Sequence, residues 1–155
     1  TDHERIINLR IETVSERRIE QTGILSRRCV ILASGYYEWA ELDGRRYPVL
    51  FELRDDELFG FAGLISSEDP GDPPACVMLT TPANDLVSEI HDRMPAVLPR
   101  DRWPSWLADT ESTPPLAVAG EPIDGPRMHA SFVGNEVEDP RYKGHIRRKA
   151  PLGIG

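Results

Sequence analysis

A single α+β domain, without a doubly wound sheet, is the fold class that this 155-residue chain predicts. Three observations point to it. Short strand-like runs alternate with short helix signals, the last third is broken repeatedly by Pro and Gly, and the length supports one core. Hydrophobic residues make up 39% of the chain, enough to build that core.

The elements follow in order. In "INLRIET", Asn8, Arg10 and Glu12 share a parity, so an extended segment puts them on one face and Ile7, Leu9 and Ile11 on the other. "TVSERRIEQTGIL" offers Ser15 as a helix N-cap and Gly23 as a stop, which predicts a short helix over 15–22. "RRCVILASGYYEWAEL" reads as two strand pieces joined at Ser34-Gly35. "RRYPVLFEL" and "LFGFAGLI" around the charged "RDDE" read as a hairpin, with Gly60 and Gly63 marking a bulge or a close approach by another segment. "DPGDPPA" is a loop, and "CVMLTT" a buried strand.

"TTPANDLVSEIHDRMP" starts as a short helix and must stop near Met94, because Pro95 restricts the residue before it. "RDRWPSWLAD" predicts another short helix with Trp103, Trp106 and Leu107 inward. Beyond Ser112 only a strand near Met128 to Val133 is expected, and "KGHIRRKAPLGIG" reads as an exposed tail. Cys29 and Cys76 lie in apolar runs and are expected to be buried as small hydrophobes, with neither a disulfide framework nor a zinc site indicated.

The net charge of −8 opposes indiscriminate adhesion to nucleic acid, which is driven by neutralising phosphates. Six arginines (5, 10, 17, 18, 27 and 28) nevertheless precede residue 30, so a basic face on an acidic protein remains possible. No run approaches the roughly 20 apolar residues that cross a bilayer, and "TDHERIINLR" has no apolar signal region. The expectation is a soluble, intracellular protein.

Two side chains carry candidate chemistry. His91, at a helix end beside Asp92 and Arg93, can give or take a proton near neutrality; equally, His91 and Asp92 can simply cap the helix. Glu38 sits among Tyr36, Tyr37 and Trp39. Pressed against aromatic surface it becomes a general acid, but strand alternation can also send Tyr37 and Trp39 to one face and leave Glu38 in water with Tyr36. The face of Asn8, Arg10 and Glu12 suits a sugar-phosphate site, and is also what any half-exposed strand shows. A cysteine protease would need an activated thiolate, metal binding would need converging ligands, and no HExxH, HxxxH, CxxC or phosphate-binding glycine loop is present.

Five ordered blocks resemble one family: "NLRIET" (8–13), "RRCVILASGYYEW" (27–39), "FAGL" (61–64), "MLTTPAND" (78–85) and "IHDRMPAVL" (90–98), with a weaker "HASFVGNEV" (129–137). Together they are similar to the SRAP domain, the SOS response-associated peptidase or abasic-site processing family. The resemblance implies a curved, mixed but mostly antiparallel sheet core with short helices over 1–137, followed by an irregular C-terminal tail over 138–155. It implies a cytoplasmic, nucleoid-associated monomer that needs no metal or cofactor and acts on abasic sites in single-stranded DNA. The reactive group of such proteins is an N-terminal cysteine, whose amine and thiol close a thiazolidine ring on the sugar aldehyde.

Carried across by motif, Glu38, His91 and Asn8 would be catalytic. Arg10, Arg93 and Arg18 would hold phosphates, and Trp39 and Thr80 would line the DNA channel. The chain begins at Thr1, only seven residues before Asn8, so the expected terminal cysteine is not in it. Cys29 does not replace it, having no free α-amine. The alternatives are a fragment that binds single-stranded DNA without crosslinking, and an autopeptidase or thiol-peptidase-like domain.

Overall fold

The computed structural model describes residues 8–14, 27–55, 57–66, 75–108 and 115–151, so the helix expected over 15–22, and Arg18 with it, lies outside the described residues. The described residues form ten strands and four short α-helices, in the order β1 (Asn8–Arg10), α1 (Ile11–Val14), β2 (Arg28–Ala33), β3 (Tyr36–Leu42), β4 (Arg45–Leu53), β5 (Phe59–Ser66), β6 (Ala75–Pro82), α2 (Asp85–Ser88), β7 (Arg93–Pro95), β8 (Val97–Leu98), α3 (Trp103–Leu107), α4 (Pro115–Gly120), β9 (Met128–Val133) and β10 (Arg148–Pro151). The strands form two sheets, β1-β6-β5-β2 with β7 on β6 and β8 on β5, and β10-β9-β4-β3. Among the described residues only β1 and β6 run parallel; the other pairings are antiparallel. The predicted class holds: mixed, mostly antiparallel sheets with few short helices.

Two apolar clusters explain the layering. Tyr36, Val49 and Phe51 of the second sheet meet Phe59, Phe61 and Val97 of the first, and Tyr36 stacks on Phe51 at 5.1 Å while meeting Phe61 edge-on at 5.9 Å. On the other face of the first sheet, Leu64, Leu79 and Leu98 pack with Ile11, Trp106 and Ala119 of the helices.

The expected hairpin between "RRYPVLFEL" and "LFGFAGLI" does not form. β4 pairs with β3 and β9, whereas β5 pairs with β2, β6 and β8. Each is an interior strand of its own sheet, so neither has a free edge for the other, and the charged segment carries the chain from one sheet to the next. Arg54 fixes the crossing by donating from its backbone N–H to the Arg127 carbonyl (2.9 Å) and from Nε to that of Pro126 (3.0 Å). The hairpin is instead β3 to β4, turned by Asp43 and Gly44 at φ 51° and 67°. That Asp-Gly pair is the usual sequence mark of such a turn.

Gly60 and Gly63 mark close approach, not a bulge: a Cβ on Gly60 would collide with the Val30 side chain. Gly60→Ala is expected to lower stability by about 1–3 kcal/mol, read as a reduced midpoint in urea. An unchanged midpoint would mean that β2 can retreat without cost.

β5 and β6 pair from Gly63↔Met78 to Ser66↔Ala75 and then separate. Residues 93–98 fill the gap: β7 pairs with β6 and β8 with β5, and between them Ala96 donates to the Leu79 carbonyl and accepts from the Ala62 N–H, both at 2.9 Å. This wedge shortens the helix predicted to reach Met94. α2 starts at an Asn84 cap whose side chain accepts the Val87 N–H at 2.9 Å, and it ends at Ser88, so His91 lies in the turn beyond it.

Four further expectations change. β1 stops at Arg10 and Ile11 begins a helical turn that buries Ile11 and Val14, so Glu12 leaves from α1 and not from an extended strand. Leu107 is 49% exposed while Trp106 is fully buried, because successive helical residues point about 100° apart. Near the C-terminus, β10 is not a loose tail: it pairs with β9 from Arg148↔Val133 to Pro151↔Ser131, occupying the edge of β9 that β4 leaves free. α4 also forms within the stretch expected to be irregular.

Candidate functional site

Alternation along β3 is as the sequence predicts, but burial is reversed. Tyr36, Glu38 and Ala40 stand opposite Phe51, Val49 and Tyr47, and Tyr36 is only 8% exposed in the core between the sheets. Glu38 is therefore half-buried beside an aromatic core instead of lying in water. Burial raises its carboxyl above the ordinary glutamate range, against opposing pulls from His91, a backbone hydrogen bond at Trp39, and Arg46. The Tyr36 hydroxyl is buried with no hydrogen-bond partner among the described residues, and burial, then the Glu38 charge, oppose its ionisation.

His91 is oriented by its own turn. Its Nδ1 accepts the Arg93 N–H at 2.9 Å and lies 3.0 Å from the Arg93 carbonyl and 3.3 Å from Asp92 Oδ1. A neutral ring that accepts at Nδ1 carries its proton on Nε2, which has no hydrogen-bond partner among the described residues. The imidazole is half-exposed, so Nε2 can exchange a proton with a bound molecule.

Arg93 starts β7. Its guanidinium takes both oxygens of Glu12, at 2.7 and 2.9 Å, and also donates from Nη2 to the Thr80 carbonyl (2.7 Å) and Oγ1 (3.3 Å). That bidentate bond is the main cause that holds the Glu12 carboxyl below its usual range. The resemblance assigns Arg93 to phosphate and Thr80 to the DNA channel; the structure ties the two residues to each other and gives Arg93 an internal carboxylate. Arg10 stands beside Thr80 in the parallel β1–β6 register, and Asn8 and Arg10 are both exposed.

Trp39 is not brought beside Glu38. It lies on the opposite face of β3, where Nε1 donates to Glu138 at 3.0 Å and the Arg46 guanidinium sits 5.4 Å from the ring centre. Sequence reasoning gave Tyr36 no role in the site, and it grouped Glu12 with Asn8 and Arg10 without finding Arg93 as its partner. The parity of Glu12 with Arg10 was the available signal, but it does not show which arginine Glu12 would reach.

Neither cysteine is deeply buried: Cys76 is exposed and Cys29 is intermediate, a correction to the expected burial. The apolar run places Cys76 at the open start of β6, where it borders solvent. Burial, and then the neighbouring Cys76, push the Cys29 thiol up to about 12, which still argues against a thiolate nucleophile there. Among the described residues no three His, Cys, Asp or Glu side chains converge as metal ligands. A groove of about 860 Å³ lies between α2 and β9, lined by Arg54, Leu86, His129 and Ser131 among others; neither Glu38 nor His91 lines it. No helix of the described residues is long and apolar enough to cross a membrane.

Residues 1–140 match the family model of the SOS response associated peptidase, SRAP. The chain is 35% identical over 142 residues to the abasic site processing protein YoqW of Bacillus subtilis, across 88% of this chain and 63% of that protein. It is 27% identical to the abasic site processing protein YedK of Escherichia coli, across 68% of this chain and 49% of that one. A crystal structure of a protein from Bacteroides thetaiotaomicron superposes with a TM-score of 0.74 at 26% identity, covering 85% of this chain and 60% of that one. The chain thus spans less than two thirds of these proteins.

Proposed function

The chain belongs to the SRAP family, and from that premise we propose that it forms the greater part of a protein that captures abasic sites in single-stranded DNA as a covalent thiazolidine. The observation that carries this reading is the pairing of Glu38, half-buried with a raised carboxyl pKa, with His91, whose ring is held by the Arg93 backbone. Asn8 and Arg10, both exposed on β1, supply an amide and a guanidinium suited to a sugar and its phosphate.

The chemistry follows from these groups. An abasic deoxyribose reacts as its open-chain aldehyde, and ring opening needs a proton moved between the sugar hydroxyl and its ring oxygen. His91, with Nε2 free to exchange, is suited to that step. The amine of a terminal cysteine, supplied by the complete protein, adds to the aldehyde carbon. Loss of water then needs an acid, and a glutamate whose pKa is raised by burial is suited to deliver it. The cysteine sulfur adds to the resulting imine carbon and closes the ring. Asn8 would orient the sugar hydroxyls, and Arg10 would hold a flanking phosphate. Arg93 would reach a phosphate only by exchanging it for Glu12.

A denaturing gel tests the reading. Complete protein incubated with single-stranded DNA bearing one abasic site should give a shifted band that survives boiling, and undamaged DNA should give none. No band, with salt-sensitive retention on a native gel, would leave DNA binding without capture. Arg10→Ala is expected to weaken binding of all sequences alike and to reduce the slope of log K against log salt by about 0.7, the effect of one single-strand phosphate contact. Fluorescence anisotropy across a salt series measures it, and an unchanged slope would remove Arg10 from the DNA path.

A further inference from the structure

Away from these residues, the two thiols of the chain meet across strands that are not neighbours. Cys29 on β2 stands opposite Gly63 of β5, and Cys76 on β6 stands opposite Ile65 of the same strand. Gly63 and Ile65 are two residues apart, so both cysteines project from one face of the first sheet. Their sulfurs lie 3.9 Å apart. The absence of a side chain at Gly63 makes this possible, since a Cβ there would sit 2.9 Å from the Cys29 sulfur.

We propose that Cys29 and Cys76 form a two-thiolate binding site for a soft, closed-shell cation of the Cu(I) class. Metal–thiolate bonds of about 2.3 Å from both sulfurs would meet at one ion with an angle of roughly 115° at the observed separation. A small rotation of either side chain opens that angle toward the linear arrangement Cu(I) favours. Thiolate ligands select such cations by softness. Structural zinc takes four protein ligands, and among the described residues no group of three or more His, Cys, Asp or Glu side chains converges.

A disulfide fits less well. Two strand spacings separate the backbones by roughly 9 to 10 Å, beyond the limit of about 7 Å between the Cα atoms of a disulfide. An ion fills the gap between the sulfurs that a direct bond would have to close by moving strands. The exposure of Cys76 gives the cation a path in, with Cys29 half-buried behind it. Each thiol releases its proton as its sulfur bonds the cation, so one Cu(I) displaces two protons and no oxidant or reductant is consumed.

The test is an anaerobic titration of the reduced, complete protein with Cu(I) against a chromophoric Cu(I) chelator, alongside the same titration with Zn(II). One Cu(I) per chain is expected at this site, with two sulfur neighbours in X-ray absorption. The ion should be lost from both Cys29→Ser and Cys76→Ser, with Zn(II) retained far more weakly. Cys76 is exposed, so its substitution leaves the fold intact, as a circular dichroism melt would verify. Retention of the ion by Cys76→Ser, binding of two ions with one on each thiol, or no competition with the chelator would each overturn the proposal. Capture of abasic DNA is scored separately and does not bear on the outcome.

Discussion

Glu38→Gln is expected to slow covalent capture of abasic DNA by the complete protein by about 10² to 10⁴-fold, the range that a positioned general acid contributes. The amide keeps the shape of the side chain and its contact with the Tyr36 face, but it cannot deliver a proton to the departing oxygen. Binding of single-stranded DNA should change little, because Glu38 is an acid in this scheme and not a phosphate ligand. Single-turnover crosslinking followed on denaturing gels reads the rate, and anisotropy reads the affinity. A variant that crosslinks at the wild-type rate would remove Glu38 from the chemistry.

The pH profile adds a second reading. A raised carboxyl pKa means that the proton is still held above the range where an ordinary glutamate has lost it. Capture limited by water loss should therefore decline as pH rises through that raised value, and Glu38→Gln should abolish this limb. The same shift has a stability consequence of fixed sign. Because the folded carboxyl titrates above the unfolded one, its contribution is whole below the ordinary glutamate pKa and is lost as pH rises through the folded value. Glu12 runs the other way: its lowered pKa adds stability above the ordinary value, lost as pH falls through the lowered one.

Trp106→Ala is expected to cost about 3–5 kcal/mol. The indole is fully buried behind the first sheet. Its Nε1 donates to the Cys29 carbonyl at 2.8 Å, and its own carbonyl accepts from Arg28 Nε at 2.7 Å, so it ties α3 to β2. Urea unfolding should show a lower midpoint with an unchanged slope. If the alanine variant does not fold, Trp106→Phe keeps most of the apolar volume, removes the indole hydrogen bond to the Cys29 carbonyl and should still lose about 0.5–1.5 kcal/mol. Leu107→Ala, one residue on and exposed, should stay within about 0.5 kcal/mol of wild type. Equal losses at the two positions would mean that α3 does not pack as described.

Local signals in the chain were strong where one element decided its own conformation. "CVMLTT", the two runs on either side of Ser34-Gly35 and the Met128 to Val133 run all became strands at the expected places. The hairpin was misplaced because pairing is a long-range choice: apolar runs on either side of a charged turn look alike whether they pair with each other or enter different sheets. The Asp-Gly turn at 43–44 held the better local evidence. Periodicity extends helix α2 too far, because it cannot show that residues 93–98 are drawn off to fill the split between β5 and β6.

Taken alone, the ordered blocks of the sequence determined the family, the α+β class and the residues worth testing, since motif order and spacing survive without coordinates. Residue type also settled what each side chain can do: Glu38 and His91 can move protons, and Arg10 and Arg93 can carry charge. Tertiary structure decided which of these meet. It put the Glu38 face of β3 against the core, thereby raising the carboxyl pKa, and turned Trp39 away to Glu138. It also committed Arg93 to Glu12, 81 positions distant in the chain. Burial and long-range ion pairing depend on which strands share a sheet, and that is fixed only when two sheets and a layer of helices close on one another.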